Sequence, residues 1–296
     1  MKLVRRILLA LLKKIYFLFS DKKFLEYRFY LEMGKKLDLK NPKTMNEKLQ
    51  WLKLYNRKPE YTDMVDKIRV KDYVAKKIGD SVIIPTLAVW NNVGEINIDV
   101  LPEKFVLKTN HGGGNLGVVI CHDKSKFDLE QAKKKIDKNF NEDIYPLHKE
   151  YPYLGIRKKI LAESLLETRD GSEIKDYKFY CFDGYVDSVL ICMDRQIGDA
   201  KFYFFDKAWN LKRYNKRGKD APIDFTLPKP ENMDKMFEIA SELSKGIPFL
   251  RVDLYNVDGK IYFGETTFFP ASGFDSNRLL EADLHFGDLI KLPKVV

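Results

Sequence analysis

The sequence predicts an α+β fold, with a basic helical region at the N-terminus and a longer, strand-rich remainder. Three observations carry this reading. Apolar residues recur at helical spacing through residues 21–79. From Ser81 onward, short runs rich in β-branched and aromatic residues follow one another between turn residues. Helical patterns interrupt them at 129–140 and 232–245, too seldom for a regular βαβ alternation.

The first twenty residues, MKLVRRILLALLKKIYFLFS, form the first element. On a helical wheel Lys2, Arg5, Arg6 and Lys13 cluster, and Leu3, Ile7, Leu8, Leu11, Ile15 and Leu18 lie mostly opposite. The apolar run 7–12 is too short to span a bilayer and ends at Lys13-Lys14. No small-residue cleavage site follows, so a signal peptide is not read. The expectation is a basic amphipathic helix lying on an anionic membrane surface. Three further helices are expected, in FLEYRFYLEM, MNEKLQWLKLYN and YTDMVDKIRVKDYVAKKIG. Thr44 and Glu47 form a capping box for the second, and Gly79 suits the end of the third.

Composition narrows the function classes. Of the 296 residues, 45% are hydrophobic and 32% charged, as in an ordinary globular protein. Residues 1–80 carry 21 Lys/Arg against 10 Asp/Glu, whereas the remaining 216 carry 31 against 33. The net charge of +9 therefore belongs to the N-terminal region. Its lysines are interleaved with aliphatic residues and no RNP, zinc-finger or basic-zipper pattern occurs, so no nucleic-acid partner is expected. Cys121, Cys181 and Cys192 make no CxxC pair, which favours a reducing compartment.

The segment FVLKTNHGGGNLGVVI, residues 105–120, imitates three motifs. It satisfies GxGxxG, but a strand-like run follows where a dinucleotide fold needs a helix. It contains HGGG, but the chain has no GxSxG nucleophile elbow. Val118 stands where a Walker loop needs lysine. What remains is strand, glycine loop, strand: a hairpin whose amides can donate to phosphate oxygens, with Lys108 reaching from the preceding strand.

A second informative stretch is RVDLYNVDGKIYFGETTFFPASG, residues 251–273. A two-residue Asp258-Gly259 loop would pair Val257 with Lys260 and send Asp253 and Glu265 to opposite faces. A three-residue loop would place Arg251, Asp253, Glu265 and Thr267 on one face. Two carboxylates beside one guanidinium suit Mg²⁺ bridging nucleotide phosphates, so the three-residue loop is expected, with both carboxylates facing the glycine loop.

Six segments in order resemble the ATP-grasp superfamily, and most closely its TupA-like branch. They are NPKTMNEKLQWLKLYN, VDKIRVKDYVAKKIG with IIPTLAVW, FVLKTNHGGGNLGV, ILAESLLE, KDYKFYCFDG and the acidic hairpin. The resemblance implies an ATP-grasp fold, two α+β subdomains clasping ATP, over residues 81–296. The lid subdomain would cover about 100–167 and the catalytic subdomain about 168–296, behind residues 1–20 and a helical region 21–80. It implies Lys67 and Lys108 as the nucleotide lysines and His111, Gly112, Gly113 and Gly114 as part of the phosphate lid. Glu163 would mark the hinge, with backbone near Ser164 and Leu165 recognising adenine. Asp253 and Glu265 would hold Mg²⁺, Arg251 would steady an acyl-phosphate, and Lys178 would point into the site. Thr267 stands where many members carry asparagine, and no Rossmann-like domain precedes the ATP-binding part.

The implied activity is ATP- and Mg²⁺-dependent amide formation between a carboxylate and an amine. For this branch the carboxylate is expected on a uronic acid of a capsular or other cell-surface polysaccharide precursor, and the amine on an amino acid or amino compound. The implied location is cytoplasmic, peripheral on the inner face of the cytoplasmic membrane. Two other readings compete. A metal-dependent glycosyltransferase would normally show a DxD motif, which the sequence lacks. A non-catalytic nucleotide- or polysaccharide-binding module would not need Lys108, Arg251, Asp253 and Glu265 together.

Overall fold

The computed structural model describes residues 2–112, 117–193 and 200–294. Helix α1 (Lys2–Lys14) is followed by α2 (Asp21–Met33), α3 (Met45–Tyr55), α4 (Glu60–Val65) and α5 (Val70–Ile78). Strands β1 (Thr86–Trp90), β2 (Phe105–Thr109) and β3 (Val118–Cys121) precede α6 (Leu129–Phe140) and α7 (Ile144–His148). Then come β4 (Ile160–Ser164), β5 (Asp176–Phe182), β6 (Tyr185–Met193), β7 (Lys201–Phe205), β8 (Leu211–Lys212) and α8 (Lys216–Lys219). Helix α9 (Met233–Ser244), the hairpin β9 (Leu250–Val257) and β10 (Lys260–Thr267), and α10 (Leu280–Leu289) complete the chain.

Among the described residues the strands build two antiparallel sheets. The smaller has the order β1-β4-β2-β3 and the larger the order β10-β9-β5-β6-β7-β8. Helix α6 packs Ile136 into the small-sheet core with Phe105, Leu107 and Ile160. The larger core joins the big sheet to α9 and to α3–α5. Phe179 meets Phe237 of α9 edge to face at 5.0 Å, and burying each ring is worth about 2–3 kcal/mol.

The capping box is present: Thr44 Oγ1 accepts from the Glu47 amide, and the Glu47 side chain accepts from the Thr44 amide. The expected third helix is instead two, α4 and α5, broken around Lys67. The reason is local. The Asp66 carboxylate accepts the amides of Ile68 and Arg69, an alternative to helical hydrogen bonding, and also accepts from Asn110 Nδ2. The Lys67 amide then donates to the Asn110 carbonyl, so the break seats Lys67 against the end of β2.

Candidate active site

A cleft of about 1120 Å³ separates the two sheets. On the large sheet its floor is one row of cross-strand partners. Glu265 pairs with Asp253, Asp253 with Lys178, and Lys178 with Leu190. Directly paired residues in an antiparallel ladder share a face, so three ionisable groups stand side by side. The neighbouring row sets Thr267 beside Arg251 and Arg251 beside Tyr180.

The hairpin reaches this register by a route other than the one expected. Its loop has two residues, Asp258 and Gly259, both left-handed at φ 49° and 82°, and Val257 pairs with Lys260. That turn alone would send Glu265 to the far face. A bulge between Phe263 and Glu265 inserts one residue and restores the shared face. The extra residue is Gly264. A Cβ there would lie 3.1 Å from the Asp253 carbonyl oxygen and 3.0 Å from the Tyr255 ring. The three-residue loop is therefore wrong, while the one-face placement of Arg251, Asp253, Glu265 and Thr267 is right.

Charges in the cleft are tightly interlocked. Asp253, 1% exposed, accepts from Arg251 Nε at 2.7 Å and from Arg251 Nη2 and Lys178 Nζ at 2.6 Å each. Arg251 also reaches Glu265 at 3.3 Å, and Lys178 reaches Asp176 at 2.5 Å. Burial alone would raise the pKa of Asp253, but Arg251 and Lys178 outweigh it and hold the carboxyl below its ordinary value. Burial and the neighbouring Asp253 push Asp176 upward. Burial opposes the charge on Lys178, yet Asp253 and Asp176 keep its pKa raised.

The small sheet supplies the facing cations. Lys108 on β2 and Lys71 on α5 both bind the buried Glu163 carboxylate of β4, Lys71 at 2.7 Å. Lys67 Nζ donates to the Gly112 carbonyl and lies 3.9 Å from Glu265 Oε2. Burial lowers the pKa of Lys67. Ser164 and Leu165 line the cleft where β4 leaves the small sheet, and the Ser164 amide is already donated to the Pro85 carbonyl. Strands β2 and β3 pair as a hairpin around the glycine loop, with Lys108 opposite Val118. Gly112 has no room for a side chain, since a Cβ would sit 2.5 Å from Asn139 Oδ1. Gly113 and Gly114 lie outside the described residues.

His111 is placed elsewhere. Its ring is 4% exposed, packs against Phe140 at 6.2 Å and lines a second, smaller cavity rather than the cleft. Burial lowers its pKa to about 4, with Lys158 adding to the effect. Two cleft residues are additions to those expected. Asp176 could have been found from DYK, since residues two apart on a strand share a face. Lys71 could not, because its partner Glu163 is remote in sequence.

Residues 47–291 match the model of the TupA-like ATP-grasp family. The chain belongs to the TupA-like ATP-grasp family. ATP and Mg²⁺ are the cofactors of that fold, and ATP-dependent ligation is its enzyme class. A comparison with curated proteins finds no match. Among solved structures, the chain is similar to a D-alanine–D-alanine ligase from Bacillus anthracis, with 16% identity over 77% of this chain and 66% of that one, TM-score 0.46. It is similar to the corresponding ligase from Helicobacter pylori, with 16% identity over 78% and 59%, TM-score 0.42. The ATP-grasp ligase PsnB, solved with a minimal precursor, Mg and ADP, shares 13% identity over 76% and 58%, TM-score 0.40. The chain thus spans about two thirds or less of the lengths of these three proteins.

The TupA-like cleft fits both cofactors. Its volume exceeds the upper end of ordinary small-molecule sites, about 1,000 Å³. Lys67, Lys108, Lys178 and Arg251 all line it, a fourfold cationic set for polyphosphate. Among the described residues no group of three or more His, Cys, Asp or Glu is placed to hold a metal by itself. Asp253 and Glu265 are two oxygen donors on one face, which suits a Mg²⁺ that takes its other ligands from phosphates and water.

Proposed function

We propose that this protein is an ATP- and Mg²⁺-dependent carboxylate–amine ligase. The observation that carries the reading is the row Glu265–Asp253–Lys178, with Arg251 beside it, facing Lys67 and Lys108 across the cleft. In the first step a carboxylate oxygen attacks the γ-phosphorus of ATP, the bond to the bridging oxygen breaks, and ADP leaves. In the second, an amine attacks the acyl carbon, phosphate leaves with the bonding pair, and the nitrogen loses a proton to give the amide. Mg²⁺ held by Asp253 and Glu265 would neutralise charge on the phosphates. Lys67 and Lys108 hold the phosphate chain from the lid side. Arg251 and Lys178 are fixed by Asp253 before substrate arrives, so their positive charge needs no reorganisation when the acyl-phosphate forms. Thr267, beside Arg251, offers a neutral hydroxyl on the same face.

For substrates, we take the carboxylate to be a uronic acid of a cell-surface polysaccharide precursor and the amine to be an amino acid or amino compound. A surface supports a membrane-proximal setting. On α1 and the turn after it, Val4, Ile7, Leu8, Leu11, Phe17 and Leu18 are 45–69% exposed. Arg5, Arg6, Lys13 and Lys14 lie on the same short segment. No helix among the described residues is long and apolar enough to cross a membrane, so attachment would be peripheral, on the anionic inner face of the cytoplasmic membrane.

Amine-dependent ADP release with a uronic-acid acceptor tests the reaction. The Asp253→Asn variant should lose about 10²–10³-fold in turnover, because the charge that holds Arg251, Lys178 and Mg²⁺ together is gone. Wild-type turnover in Asp253→Asn, or ADP release that ignores the amine, would overturn the assignment.

A further inference from the structure

The second cavity, about 310 Å³, opens beside the glycine loop and not into the centre of the cleft. Tyr145, Tyr153, Leu154 and Ile156 give it apolar and aromatic walls, and His111 forms part of its lining. His111 Nδ1 lies 3.4 Å from Asn110 Oδ1, while its buried Nε2 has no hydrogen-bond partner. An unmatched buried nitrogen in a cavity wall is an acceptor or donor left for a ligand. At the rim, Lys158 is neutralised by Asp143 at 2.7 Å. Glu142 has no ion-pair partner among the described residues, so the cavity carries an uncompensated negative charge.

Two observations tie this cavity to the reacting end of the cleft. His111 immediately precedes Gly112, whose carbonyl is held by Lys67, and Lys67 Nζ is 3.9 Å from Glu265. Tyr153 connects the same places through charge. Burial raises the pKa of its hydroxyl, and among the charges acting on it are Glu265, which adds to the rise, and Arg251, which opposes it.

We propose that this cavity is the entry site of the amine substrate, a small primary amine such as a free amino acid. The proposal rests on the ligase reading above. Its ammonium group is balanced by Glu142 and hydrogen-bonded at His111, and its carbon body lies against Tyr153 and Leu154. The volume is near the lower end for small-molecule sites, about 300 Å³. It admits one amino acid and excludes an oligosaccharide, leaving the large cleft to ATP and the carboxylate. Separate cavities for the two substrates would let the carboxylate be activated before the amine reaches it.

Saturation-transfer NMR on the full chain with ATP analogue and Mg²⁺ tests this, using a mixture of the common L-amino acids and ethanolamine as probe. Signals from one or more of these amines are expected, and none from their N-acetylated forms. Leu154→Trp fills the cavity from a side chain that is already 47% exposed, so folding should survive. It should weaken amine binding about tenfold or more, while thermal stabilisation by ATP–Mg²⁺ stays as in the wild type. Silence from every amine, equal signals from N-acetylated forms, or unchanged binding in Leu154→Trp would each overturn the proposal. Failure of ATP–Mg²⁺ to stabilise the wild type would count against the ligase reading instead.

Discussion

His111 illustrates how far a residue's neighbours can redirect it. Its sequence position, at the head of a glycine loop, suggests a phosphate contact. Its place in the fold is a buried wall behind that loop, where ring packing on Phe140 and desolvation decide its chemistry. The consequence is measurable. The folded pKa is about 4 against an ordinary 6.5, so above pH 6.5 both folded and unfolded chains carry the neutral ring. As pH falls below 6.5 the unfolded chain binds a proton that the folded chain refuses. Stability present above pH 6.5 is therefore lost as pH falls toward about 4, by at most about 1.4 kcal/mol per pH unit from this group. Urea midpoints at pH 7 and pH 5 should differ less in His111→Phe than in the wild type. An equal drop in both would show that other groups carry the acid sensitivity. Lys67 shows the opposite case, a residue legible from VDKIRVKDY whose aim depends on Asp66 breaking a helix that periodicity alone would continue.

Strand β10 is where local turn chemistry and functional geometry come into conflict. Asp-Gly is a strong signal for a two-residue hairpin, and the chain obeys it. The cost of that obedience is a register that separates the two carboxylates, and the bulge at Gly264 corrects it ten residues from the far strand's Tyr255 ring partner in neither sequence direction but by direct approach at 3.0 Å. Gly264→Val should close the bulge or force the strands apart, destabilising the fold by about 1–3 kcal/mol. Its sharper effect is on function: the folded variant should lose stabilisation by ATP–Mg²⁺ in a thermal melt. If ATP–Mg²⁺ stabilises Gly264→Val as well as the wild type, the bulge is not what aligns the site. Helix α10 was not anticipated, since its pattern LEADLHFGDL lacks a strong apolar stripe. It forms because Phe286 finds Tyr180 and Phe182 to stack on at 5.3 and 5.7 Å, contacts from remote sequence.

At the scale of the whole molecule, two surfaces matter: the cleft between the sheets and the exposed apolar face of α1. Leu12 turns inward onto Phe24 and Leu25, which anchors α1 to α2 and leaves the other apolar side chains outward. Inserting a side chain such as Leu11 or Phe17 into a bilayer is worth about 1.5–3 kcal/mol, and the basic residues add an attraction that salt screens. The full chain should therefore co-sediment with phosphatidylserine-containing vesicles more than with phosphatidylcholine ones, and less at high salt. The Leu11→Glu/Phe17→Glu variant should stay in the supernatant. Equal sedimentation of wild type and variant would refute attachment through this face.

The sequence by itself determined the α+β class, the glycine hairpin, the capping box of α3 and the identity of the charged residues in the cleft. Those features are local: turn residues, strand periodicity and short motifs fix them within a few positions. Only the tertiary structure decided which charges meet. Lys71 and Lys108 share Glu163, Asp176 and Asp253 share Lys178, and His111 leaves the nucleotide side, because these contacts depend on sheet order and register rather than on spacing along the chain. One inserted glycine settled the matter for the acidic hairpin, since a shift of one residue moves every following side chain to the other face.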